Sequence, residues 1–298
     1  MKAYRIILFL LFLSTRMAVA QETAGEKKAL RPGNVFFSAG NYPGTSSNLS
    51  LEGFRQLAPG SALLQNDLSH YENSRNSFFD NSFLLRAGAA FSLRQDGQKE
   101  RRRHEFRLAA VYGYGTLYSN YFWKESRYAG DTFVSVKSGK IYVLDSVRTK
   151  SYMMEYTRKY LGLDVSFILY SPISRTFSFY AGMGMNGNFD FNNYVNTAYS
   201  VFRRFEQSGS SDAGYLIDYG RSYTDYNEEY IPASKAFSAS VFLPLGVEIN
   251  PSKHEKSPGK LRLYYELRPL WRISAVPGLK AHTGFRLQQS AGLRLPLN

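Results

Sequence analysis

An all-β fold, a closed antiparallel up-and-down transmembrane β-barrel of eight strands with long outer loops and short periplasmic turns, is predicted by three features of this 298-residue chain. Apolar and polar residues alternate with period two in eight segments, the signature of strands with one apolar face. The connections between those segments alternate between short and long. Aromatic residues, 22 Phe and 23 Tyr among them, gather near the segment ends. Composition narrows the alternatives further. No stretch beyond the extreme N-terminus approaches the ~20 apolar residues of a spanning helix. A chain without cysteine has no disulfide framework, no Cys-zinc site, no thiol catalysis and no lipid-modified cysteine.

The elements follow in order. Residues 1–20 read as a secretory signal: Lys2 and Arg5 form the charged end, Ile6 to Leu13 the apolar run, and Ala18-Val19-Ala20 the cleavage site. Lys2, Arg5 and Arg16 carry three of the chain's thirteen net positive charges. Residues 21–33 are polar and unpatterned, a flexible periplasmic tail, and 34–298 form the barrel domain. Val35 to Gly40 is the shortest predicted strand. Phe83 to Arg94 puts Phe83, Leu85, Ala87 and Phe91 on one face and Arg86, Gly88 and Ser92 on the other. The same alternation returns around 105–114, 160–169, 177–186, 237–248, 261–272 and 285–297. Eight is an even number of strands, and closure leaves no open sheet edge. Short turns are expected near 95–103, 171–175 and 250–260; long outer loops are expected over 41–81, 119–150 and 191–234, with one short loop at 274–280 on the same side.

Two closed architectures alternate in this way, and they are inverses. A soluble barrel keeps apolar residues inside, whereas a membrane barrel turns them to lipid and keeps a polar lumen. Here the minority face carries Arg, Gly, Ser and Tyr but almost no Lys, the composition of a crowded lumen. Aromatics near the strand ends, such as Phe83, Phe91, Phe177, Phe179, Trp271 and Phe285, match the girdles found at headgroup depth. The expected location is therefore the outer membrane, reached through the N-terminal signal.

On these features, and on segments such as Tyr160-Leu161-Gly162-Leu163-Asp164 and Tyr180-Ala181-Gly182-Met183-Gly184, the chain resembles the small outer-membrane β-barrel superfamily typified by the OmpA membrane domain. The resemblance covers roughly Val35 to Leu297. It implies outer-membrane lipid and the barrel insertion machinery as partners. The chain finishes Leu295-Pro296-Leu297-Asn298, where that family commonly finishes on an aromatic residue.

Motifs for chemistry are sparse. Gly182-Met183-Gly184-Met185-Asn186-Gly187 has the spacing of a dinucleotide fingerprint, but no helix pattern follows it to hold a pyrophosphate. His70, His104, His254 and His282 lack metal-ligand spacing, so no metal and no cofactor are expected. An enzyme would need a pairing such as His70 or His282 with Ser69, which nothing in the spacing selects. The run Lys99 to Arg103 is short and sits in a turn, and nucleic-acid binding is not expected.

The informative residues are the ionisable ones that alternation turns inward. The expected lumen charge network is Arg86, Arg107, Arg158, Asp164, Glu248, Arg262, Glu266, Arg268, Arg272 and Arg286, with Arg94, Glu105 and Arg294 on the same face. Charges in a low-dielectric tube persist when paired or hydrated, and an eight-stranded barrel is just wide enough for side chains to fill. Hairpin arithmetic centred on Glu255 predicts a Glu248–Arg262 pair, and Glu266 is expected to bridge Arg268 and Arg286. The expected function is a plugged, non-catalytic barrel with a structural or surface-interaction role. Its Tyr-rich loop 191–234 would offer a contact surface for an extracellular ligand. The alternatives are a narrow anion-preferring pore and an outer-membrane enzyme acting on lipid.

Overall fold

The structure is a computed structural model that describes residues 30–43, 46–74, 82–93, 104–129, 132–134, 139, 141–171, 177–207, 222–250 and 261–297. The signal segment, the tail before Leu30, Arg94, the 99–103 run and residues 95–103, 172–175 and 251–260 of the three short turns lie outside the described residues. Among the described residues the chain is all-β, with one short α-helix. Its strands are β1 (Leu30–Asn41), β2 (Ser47–Asn48), β3 (Glu72–Ser74), β4 (Phe83–Leu93), β5 (His104–Tyr128), β6 (Thr132–Val134), β7 (Ile141–Tyr170), β8 (Phe177–Gln207), β9 (Ser222–Pro232), β10 (Phe237–Phe242), β11 (Leu245–Ile249), β12 (Arg262–Ala275) and β13 (His282–Pro296).

Eight of these positions close on one another in a ring. In order they are β1, β4, β5, β7, β8, then β10 and β11 end to end, β12 and β13, which pairs back with β1. Every neighbouring pair is antiparallel. All eight predicted segments are strands of this ring. β1 begins at Leu30, inside the segment expected to be tail. The run read as one strand from Phe237 is two, because Pro244 has no N–H for the ladder; the adjoining Leu243 amide donates to the Pro269 carbonyl at 3.0 Å.

The alternation sorts the residues as expected. Ser238 and Ser240 are buried while Phe237 and Val241 are exposed, and the same holds around the ring. Inward space is tight, and glycines make room for rings. Tyr160, Tyr180 and Tyr264 stand opposite Gly113, Gly246 and Gly292 on neighbouring strands. A Cβ on Gly113 would lie 2.0 Å from the Tyr160 ring, and one on Gly246 2.2 Å from the Tyr180 ring.

The long outer loops are the principal correction. β5, β7 and β8 run past the ring as paired strands, with Tyr128 opposite Ser146 and Leu144 opposite Gln207. The supposed Tyr-rich loop 191–234 is strand over 191–207, in β8, and again over 222–232, in β9, which pairs along β8. These extensions lack an alternating pattern because neither face has to be uniformly apolar there.

The 41–81 segment is also structured where described. Ser50 accepts from the Gly53 amide and starts a seven-residue helix, α1 (Leu51–Leu57). A 3-10 turn over Leu63–Gln65 follows. Phe54, Leu57 and Leu64 pack against Tyr118, Met154, Tyr156 and Val195 on the inner face of the extension, joined by Ala236 and Val276 from neighbouring connections. This apolar unit sits at the end of the ring opposite the short turns. Arg55 ties it together by donating to the Leu64 and Asn66 carbonyls.

Candidate functional site

The inward faces of the eight strands meet in one charged cluster. Glu266, on β12, is fully buried. Its Oε1 accepts from Arg86 Nη1 at 3.1 Å and from Arg268 Nε. Its Oε2 accepts from Arg107 Nη1 at 2.9 Å and from the Tyr180 hydroxyl at 2.8 Å. Arg86, Arg107 and Tyr180 come from β4, β5 and β8, none of which is a ladder neighbour of β12. Such contacts are possible only across the interior of the ring. Asp164 on β7 completes this layer, bonded by Arg268 and 4.0 Å from Arg86.

A second layer lies toward the short turns. Glu105 accepts from Arg294 at 3.0 Å, from the Asn34 amide at 3.0 Å and from the Tyr170 hydroxyl at 2.8 Å. Glu248 takes Arg262 at 2.6 Å and Arg294 at 2.9 Å. Arg107 joins the two layers, with its Nη2 donating to Tyr170 at 2.8 Å and its Nε 3.8 Å from Glu105. Guanidinium planes also lie over rings: Arg107 over Tyr180 at 4.7 Å and Arg268 over Phe242 at 4.4 Å. Toward the α1 end, Arg158 meets Asp190 at 3.4 Å and Arg272 donates to Ser238 at 3.2 Å. A buried charge is tolerable when paired and hydrogen-bonded: every arginine of the two layers lies against at least one carboxylate, while Arg86 Nε, Arg107 Nε, Arg294 Nε and Arg294 Nη2 are buried without a hydrogen-bond partner among the described residues.

Of the ten residues expected in the network, Arg86, Arg107, Asp164, Glu266 and Arg268 form the central layer. Glu248 and Arg262 pair as expected, but not by the expected register. Glu248 stands opposite Tyr264, which centres the hairpin one residue later than Glu255, and Arg262 reaches Glu248 diagonally. The bridge from Glu266 to Arg286 is not formed. Ser290, not Arg286, is the register partner of Glu266; Arg286 lies further up β13 and donates to Ser47 Oγ at 3.0 Å. Hairpin arithmetic sees only adjacent strands, whereas the favoured partners of Glu266 lie across the ring. Asp190, Asn34, Tyr170 and Tyr180 were missed; the inward parity of β7 and β8 was the available signal for the two tyrosines. Glu105 and Arg294, placed on the right face by alternation, prove to be central to the second layer.

The outward face is the other half of the site. Leu163, Phe179, Met183, Val241, Trp271 and Phe285 are each more than half exposed, and every position of the ring carries at least one exposed large apolar residue. Aromatics pair near both ends: Phe91 with Phe106 and Phe106 with Phe167 toward the short turns, Phe237 with Phe189 and Trp271 with Phe285 toward the other end. Ordinary soluble surfaces rarely expose a contiguous apolar patch above a few hundred Å². Among the described residues no group of three or more His, Asp or Glu is arranged to hold a metal ion. Compared with known proteins, the chain matches no family model and no curated protein sequence.

Proposed function

We propose that this chain is an outer-membrane protein whose ring is a closed eight-stranded up-and-down β-barrel crossing the lipid, with a sealed lumen. In this reading it serves as a non-catalytic anchor that presents the sheet extension outside the membrane. The observation that carries the reading is the pairing of an apolar belt on the outward face with an ion-paired interior. A soluble ring would have them reversed. The lengths agree: β13 has 15 residues, which at about 3.3 Å each and a tilt of about 40° rise roughly 38 Å, more than the ~25 Å apolar band of such barrels. Two layers of ion pairs and the apolar α1 unit above them support a lumen closed to ions. The full chain should fractionate with outer membranes, migrate differently in SDS gels before and after boiling, and give no steady current in planar bilayers. Recovery in the soluble fraction would refute the membrane reading, and steady anion-selective current would favour the narrow pore that the surplus of inward arginines allows.

One contact favours a second reading, a lipid-acting enzyme. Ser47 Oγ lies 3.0 Å from His282 Nε2, as a nucleophile lies beside its base. Arg286 donates to the same oxygen, and among the described residues no carboxylate orients the imidazole. Covalent labelling of Ser47 by a fluorophosphonate, lost in His282→Ala, would establish it; absence of labelling removes it.

A further inference from the structure

Beyond the ring, β5, β7 and β8 form a sheet whose inner face is covered at its base by the α1 unit. Further out on that face stand four cations. Lys124 is the register partner of Lys150, and Arg148 is the register partner of Arg203. Arg148 and Lys150 are two apart on β7 and so share a face, which joins the two pairs into one patch across three strands. Like charges placed directly opposite in an antiparallel pair destabilise the sheet, and here this happens twice in succession.

The acids of the extension do not relieve the patch. Glu125 sits on the opposite face, where it holds Arg204 at 2.8 Å and Arg127 at 3.4 Å. Asp225 faces the patch from two strands beyond Lys150, through Val201. Arg203 donates to Ser146 at 2.9 Å and lies over the Phe205 ring. Among the described residues none of the four cations has a carboxylate partner.

We propose that this face binds an acidic polysaccharide. Cations about 5 Å apart across strands and about 7 Å apart along them spread over three strands, which suits a linear chain with repeated carboxylates or sulfates better than one small anion. The neighbouring rings disfavour nucleic acid. Tyr71, Tyr152 and Tyr199 pack on one another at 5.4 and 4.8 Å, and Tyr152 is buried, so they offer no open platform for stacked bases. The patch lies outside the ring, so this inference and the membrane reading fail separately.

The test uses the full chain in detergent micelles with heparin as the probe, measuring Kd across a salt series. The wild type should bind with an affinity that falls steeply with salt. Lys124→Ser with Arg203→Ser should weaken binding at least tenfold at fixed salt and melt no lower than the wild type, because repulsion is relieved. Lys150→Gln with Arg148→Gln should behave the same way. Lys235→Ser with Lys280→Ser removes the same charge from exposed positions off this face and should change Kd less than twofold. Unchanged affinity in both patch variants, an equal loss in the control, or melting of both patch variants below the wild type overturns the proposal. Tighter binding of oligothymidylate than of heparin at matched salt would replace the polysaccharide with nucleic acid.

Discussion

Removing the Glu266 carboxylate is the sharpest perturbation of the interior. In Glu266→Ala, Arg86 keeps Ser290 and the distant Asp164 oxygen, Arg268 keeps Asp164, and Arg107 keeps Tyr170 and Glu105. One carboxylate, Asp164, is then left to serve two buried guanidinium groups. Breaking one side of a buried ion pair typically costs about 3–5 kcal/mol. Three cations and the Tyr180 hydroxyl lose a partner here, so a cost near 5 kcal/mol is expected. Glu266→Gln keeps the volume and one acceptor oxygen and should cost about 2–3 kcal/mol, the scale of a hydrogen bond to a charged group. Urea unfolding in lipid vesicles, followed by tryptophan emission, measures both. With a slope of roughly 2–3 kcal/mol per molar urea, the Ala variant should shift the midpoint down by about 2 M. A shift below about 0.5 M would refute the view that this carboxylate holds the interior together. Conductance should stay at zero in the variant, because the α1 unit still covers the end of the ring.

Four further outcomes follow from the same geometry. Val241→Arg should lose roughly 2–4 kcal/mol in bilayers and far less in micelles, whereas Ser240→Arg, placed beside Asn186 and opposite Arg272, should lose stability equally in both; urea titration in the two media separates them. Phe54→Ala should cost about 3–5 kcal/mol, confined to the α1 unit and visible as faster amide exchange over residues 51–71 with the ring protected. Gly246→Ala should push Tyr180 off Glu266 and cost about 1–3 kcal/mol, read as a lower boiling temperature for the gel-mobility shift. Outside the ring, the Tyr230 hydroxyl donates to Glu228 at 2.7 Å, holding that carboxyl below its usual range and raising the phenol to about 12. The depressed carboxyl stabilises the β8–β9 pairing above its unfolded pKa, and that contribution is lost as pH falls through the folded value. Glu155 is pushed up by burial and then by the Glu228 charge. In Glu228→Gln, carboxyl-labelled NMR should therefore show Glu155 titrating at lower pH; an unmoved titration would contradict the coupling.

How much was legible in the sequence depends on whether outward-facing and interior residues differ. Along 83–93 or 237–242 they do, and the alternation alone assigns each face. Along 119–128 and 191–207 they do not: Lys124, Glu125, Arg127 and Arg204 stand on both faces, so the strands were hidden. α1 was hidden for another reason. Its seven residues follow a polar stretch, and its stability comes from Leu117, Met154 and Val195, far away in sequence. The interior was half legible. Parity turned Arg86, Glu105, Arg107 and Glu266 inward, but which cation meets which carboxylate depends on the closure of the ring, and closure brings Arg107 rather than Arg286 to Glu266. The failed Arg286 bridge and the missed Tyr180 contact share that cause.

The central claim, that the apolar belt faces lipid, is tested most directly through the chain's two tryptophans. Trp271 projects outward from β12 and is more than half exposed, while Trp123 lies on the extension opposite Ser151. With Trp123→Phe in place, Trp271 emission is recorded in vesicles whose lipids carry bromine at defined acyl positions. The account predicts a blue-shifted emission strongly quenched by acyl-chain bromines. Water-like emission, quenched by an aqueous agent and untouched by brominated lipid, would contradict it.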